Sequence, residues 1–132
     1  MSATLLYGTE GKDAVGAAGF ITKLLNGVTV VHMHHLMTDS YAQHIALGDL
    51  YDALQEGADG LAEAYMGCSG EKLTFTSGDI SIGGDAIADV KALYEYVETK
   101  RTVLGTESHI QNEVDSICTS LSRALYKLTR LS

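Results

Sequence analysis

Residues 32–63 read HMHHLMTDSYAQHIALGDLYDALQEGADGLAE, and this stretch decides the fold. At its centre Thr38, Asp39 and Ser40 form a short polar break. All three are good helix N-caps, and Ser40-x-x-Gln43 fits a capping box. Downstream, Leu47, Leu50, Leu54, Ala58, Leu61 and Tyr65 recur at threes and fours, the stripe of an amphipathic helix. That helix runs to about Met66 and is ended by Gly67 and Gly70. Upstream, Phe20, Leu24, Gly27 and Val28, Val31 and His35 keep the same period, so a first helix spans Lys12 to about Met37. Gly16, Gly19 and Gly27 would let another element approach it closely. The two helices form an antiparallel hairpin about the turn at Thr38.

Further along, residues 68–84 lack helical periodicity. Leu73-Thr-Phe-Thr and Ile80-Ser-Ile alternate around Ser77-Gly78-Asp79, which fits either a small hairpin or an irregular crossover. Asp85 caps a third helix with Ile87, Val90, Tyr94, Val97, Arg101 and Leu104 on one side, and Gly105 stops it. Thr106 or Ser108 caps the fourth, Ser108-x-x-Gln111 being a second capping box. Ile110, Val114, Ile117, Leu121, Ala124, Leu128 and Leu131 then make a heptad seam. The predicted fold is all-α: a four-helix bundle with a short turn between helices 1 and 2 and a long crossover between helices 2 and 3. Residues 1–11 are expected to be a flexible tail, and 12–132 a single domain.

Composition narrows the function classes. With 45% hydrophobic residues, the chain can bury a core, and the absence of proline suits uninterrupted helices. A net charge of −8 gives no counterion-release affinity for DNA, so DNA is not an expected partner. The most apolar stretch, residues 15–31, is interrupted by Thr22, Lys23 and Asn26, so no membrane span is expected. Cys68 and Cys118 are read as free thiols, and the first residues lack a signal-peptide pattern. A cytoplasmic protein is the expectation.

The chemistry-bearing residues are His32, His44, Asp59 and Glu63. His32 lies six residues before Thr38 and His44 six after it, which predicts two imidazoles at one height on neighbouring helices, able to share a cation. His44, Asp59 and Glu63 share one helix face at about 100° per residue. His44 and Asp59 are nevertheless ~22 Å apart along the axis, against a metal–ligand bond of ~2 Å. One chain therefore cannot bring all four to one ion. Packing the second helix antiparallel on its own copy, crossing near Tyr51 and Asp52, sets His44 of one chain beside Asp59 of the other. The isologous dimer would carry two identical sites. Mixed imidazole and carboxylate donors suit Fe or Mn and also hold Zn.

The spacing H-x11-H-x14-D-x3-E resembles the ferroxidase signature of the Dps proteins, the miniature ferritins. The resemblance covers residues 32–63, and the helix order fits beyond them. It implies a ferritin-like four-helix bundle, an intersubunit site on His32, His44, Asp59 and Glu63, Fe(II) oxidation, usually with hydrogen peroxide, and a hollow twelve-subunit shell that stores ferric mineral. This chain departs from the pattern at Gly48, where the family carries an acid, and at Met33, where it carries a tryptophan. The family's lysine-rich DNA-binding tail is absent.

A bland account stands beside this one. His32 and His44 also suit an interface where they bond to backbone or to acids, and His34, His35 and His109 suit packing or solvent. Asp49, Asp52 and Glu56 read as a solvated or interface-lining acidic face. The competing function is a non-catalytic helical oligomer that kept the scaffold and lost the chemistry, and Gly48 motivates it.

Overall fold

A computed structural model describes residues 16–76, 78 and 80–131. The expected tail at 1–11, the first residues of helix 1 at 12–15, and Ser77 and Asp79 of the crossover lie outside them. Four α-helices follow in order: α1 (Ala17–Met37), α2 (Tyr41–Ser69), α3 (Ala86–Lys100) and α4 (Ser108–Arg130), with a 3-10 turn at Arg101–Leu104 after α3. No strand occurs among the described residues, so the hairpin alternative for 68–84 gives way to the irregular crossover.

Local chemistry sets most of the boundaries. The Ser40 hydroxyl accepts from the Gln43 N–H at 3.2 Å and starts α2. Gly70 ends α2 at φ 74°, a left-handed backbone that suits a residue without Cβ. Asp85 accepts from the Ala88 N–H at 2.8 Å and starts α3. The start of α4 differs from expectation. Glu107 takes the N-cap position without a side-chain bond. Gln111 does not close a box with Ser108: its Oε1 accepts from Arg101 Nε at 2.8 Å, and its amide N–H groups donate to the carbonyls of Arg101 and Gly105, at 3.0 and 2.8 Å.

Neighbouring side chains give the helix directions. His34 meets Asp89 and Phe20 meets Tyr96, so α1 and α3 are antiparallel. Gly57 faces Ile117 and Asp49 faces Lys127, so α2 and α4 are antiparallel too. The bundle therefore runs up, down, down, up. The crossover carries the chain back to the end where α2 began, passing alongside α1 on its α3 side, with Gly78 near Asn26 and Gly83 bonded to Asp89. The core fills from all four helices: Phe20, Leu24, Leu47, Leu54, Leu61, Val90, Val97, Ile110, Val114 and Leu121 are all fully buried. Burying each large apolar side chain contributes roughly 1.5–3 kcal/mol. The α4 seam holds through Leu128, but Leu131 lies past the helix end and is 51% exposed.

Candidate metal centre

The α1–α2 hairpin carries all four predicted site residues, in a register the sequence did not show. His35, not His32, stands opposite His44. Their rings stack with centroids 3.7 Å apart and planes 19° from parallel. His32 instead stacks on Tyr51, at 4.1 Å and 18°. The expectation that His32 and His44 share one height is thus corrected. The hairpin folds about a point between Asp39 and Ser40 rather than at Thr38. This moves the residue opposite His44 by three positions along α1, or ~4.5 Å.

Two reciprocal hydrogen bonds lock the His35–His44 pair. The Nδ1–H of His35 donates to the His44 carbonyl at 2.7 Å, and that of His44 donates to the His35 carbonyl at 2.9 Å. A carbonyl oxygen only accepts, so each Nδ1 carries the proton. In the neutral form of either ring, the bare lone pair is then on Nε2. The His35 carbonyl belongs to the last turn of α1, where carbonyls lack a helical partner, so His44 also caps that helix. Gly48 makes room for the arrangement. A Cβ there would stand 3.1 Å from Cε1 and 3.2 Å from Nδ1 of His35.

Asp59 and Glu63 are exposed on the outer face of α2. Neither has a hydrogen bond or ion pair among the described residues, so both carboxylates are free to take a ligand. They continue a row that begins with Tyr41 and Ile45 beside His44 and continues with Asp52 and Glu56, all of them exposed. One outer face thus has an aromatic, imidazole-bearing end and an acidic end. Within one chain, no group of three or more His, Cys, Asp or Glu side chains could hold a single ion among the described residues. A centre built from these four residues needs a second copy.

The sequence reading of His34 as a packing or solvent residue did not extend to its partner. His34 is 7% exposed, and its Nε2–H donates to Asp89 Oδ2 at 2.8 Å. Asp89 also accepts from the Gly83 N–H, at 3.2 Å to each oxygen, so the pair ties α1, α3 and the crossover together. A signal was available: His34 follows Val31 by three and extends the stripe through Phe20 and Leu24.

Residues 35–128 match a family of unknown function (DUF5856), which takes in well over half of the chain. The chain belongs to this family. The DUF5856 match spans His35, His44, Gly48, Asp59 and Glu63 and starts after His32 and His34. No curated protein and no solved structure matches the chain. No helix among the described residues is long and apolar enough to cross a membrane.

Proposed function

We propose that the outer face of the α1–α2 hairpin pairs with its own copy and forms two intersubunit iron sites. In each, His32 and His44 come from one subunit and Asp59 and Glu63 from its mate. The bundle is then a Dps-like, ferritin-like scaffold whose substrate is Fe(II). Hydrogen peroxide would take one electron from each of two Fe(II) ions and two protons from solvent, leaving as two water molecules, and the ferric product would be stored in an oligomeric shell.

The observation that carries this reading is the division of the α2 outer face, with imidazoles at one end and unpartnered carboxylates at the other, too far apart for one chain to use together. A bound His44 would present Nε2 while its Nδ1–H rests on a carbonyl, the usual outer-shell support of a metal-ligating histidine. The up-down-down-up course with one long crossover is also the arrangement expected of a ferritin-like bundle.

The test is Fe(II) titration under peroxide, with ferric absorbance followed against buffer. Wild type is expected to oxidise iron faster than buffer, and His32→Ala with Asp59→Ala is expected to bring the rate back to buffer. No oxidation above buffer, and no metal lost on substitution, would reject the proposal.

A second reading has its own support. Capping of α1 by His44 and stacking by His35 account for two histidines without any metal. In that case the protein is a non-catalytic oligomer. Its mass in solution would stay that of an assembly in metal-free buffer, and all four ligand substitutions would leave that mass unchanged.

A further inference from the structure

We infer that His35 is a positioning residue for His44, and that the space left by Gly48 exists to seat it. The inference rests on the metal-centre reading for its purpose, but its geometry stands alone. An imidazole without a partner has two neutral tautomers and rotates freely about its Cβ–Cγ bond. A metal ligand needs one nitrogen bare and aimed. The His44 ring is restrained on two sides. Its Nδ1–H is held by the His35 carbonyl, which fixes the tautomer, and its face is covered by the His35 ring at 3.7 Å, which fixes the plane. The His35 ring is in turn held by its own Nδ1–H on the His44 carbonyl.

Gly48 is the third part of the device. It lies one turn after His44 on α2, where any larger residue would press on the His35 ring at Cε1 and Nδ1. A carboxylate at that position would occupy the volume the imidazole now fills. His35 closes the inner side of His44 and leaves Nε2 as the nitrogen through which His44 can bind.

The test uses the full chain, first free of metal and then with Co2+ as the probe. In long-range 15N–1H spectra at mildly alkaline pH, His35 and His44 are both expected as Nδ1–H tautomers. His35→Ala leaves the carbonyl in place, so His44 should keep its Nδ1–H tautomer, but its ring loses the cover that fixes its plane, and Co2+ binding should weaken by up to roughly 10-fold. His35→Asn sets an amide donor near the Nδ1 position and should recover much of the affinity. His35→Gln displaces that donor and should not. This comparison stands even if His35→Ala fails to fold. An Nε2–H tautomer for His44 in wild type would overturn the inference, as would equal Co2+ affinity in the Asn and Gln variants. If wild type takes up no Co2+ while the His44 ring resonances are sharp with His35 present and broadened in His35→Ala, the metal centre fails and the positioning of His44 survives.

Discussion

At the scale of single residues, side chains of one type diverge according to the helix phase they occupy. His32 is exposed and lies on Tyr51, His34 is buried on Asp89, and His35 is sandwiched against His44, although all three fall within four consecutive positions. At about 100° per residue, neighbouring positions face solvent, α3 and α2 in turn. The cysteines diverge in the same way. Cys68 is exposed at the end of α2, whereas Cys118 is buried in α4. Burial, with the nearby Glu98 carboxylate adding to it, pushes the Cys118 thiol up to about 11, against an opposing pull from Arg101. A raised value keeps Cys118 protonated through neutral pH, and thiolate is the reactive form. Its burial therefore supports the fold below the ordinary thiol value of 9.0, and that support is lost as pH rises toward about 11. Iodoacetamide on the native protein should add one adduct, at Cys68, and a second only after denaturation. Two adducts on the folded chain by mass spectrometry would contradict the burial of Cys118.

At the scale of elements, the joint between α3 and α4 shows how a capping signal can be outcompeted. Arg101 donates through Nε to Gln111 Oε1 at 2.8 Å, through Nη1 to Glu98 at 3.0 Å and through Nη2 to the Gln111 carbonyl at 3.1 Å, and it also pairs with Asp115. Gln111 returns two bonds to the carbonyls of the 3-10 turn and its glycine cap. Its side chain therefore holds the joint and leaves nothing for Ser108. Each such bond contributes about 1 kcal/mol net. Gln111→Ala should lower unfolding stability by about 1–3 kcal/mol in urea titration, and Ser108→Ala by less than about 0.5 kcal/mol. The reverse order would restore the expected capping box. Elements with local causes were legible in the sequence. Ser40 and Asp85 cap where their side chains reach the next turn, Gly70 ends α2, and the α4 seam packs from Ile110 to Leu128. What was hidden depends on tertiary fit. The hairpin register follows from how the His35 and His44 rings interlock over Gly48, and the buried place of His34 follows from an aspartate 55 positions away.

At the scale of the whole molecule, the course of the crossover matters most. It runs on the α3 side of α1, so among the described residues nothing covers the outer face of the α1–α2 hairpin. Lys23 is the only Lys, Arg, Asp or Glu between Ala17 and Met37, so that side of α1 lacks the charge of a solvated helix. Leu36, Met37 and Tyr41 are 70%, 56% and 77% exposed at the hairpin tip, with Ile45 close by at 45%. An antiparallel pairing of two copies would lay this apolar, imidazole-bearing end against the acidic half of the partner's α2. It would cover both ends at once.

That pairing makes a geometric prediction that needs no metal. A two-fold axis between Tyr51 and Asp52 brings residues near it against their own copies. Moving one residue along the helix separates the two copies of a position by ~3 Å, since each rises ~1.5 Å in opposite directions. Glu63 is eleven residues from Asp52, so its two copies would stand ~33 Å apart. A disulfide needs Cα atoms within about 7 Å. Asp52 is the better probe of the axis because it is exposed, whereas Tyr51 is half-buried beneath His32. With Cys68→Ser removing the exposed thiol, Asp52→Cys should oxidise to a covalent dimer on a non-reducing gel, and Glu63→Cys should stay a single chain. Cross-linking of Glu63→Cys as readily as Asp52→Cys would mean a different face or a different crossing. A failure of both would leave the histidines and carboxylates on separate molecules, with no shared ion to hold.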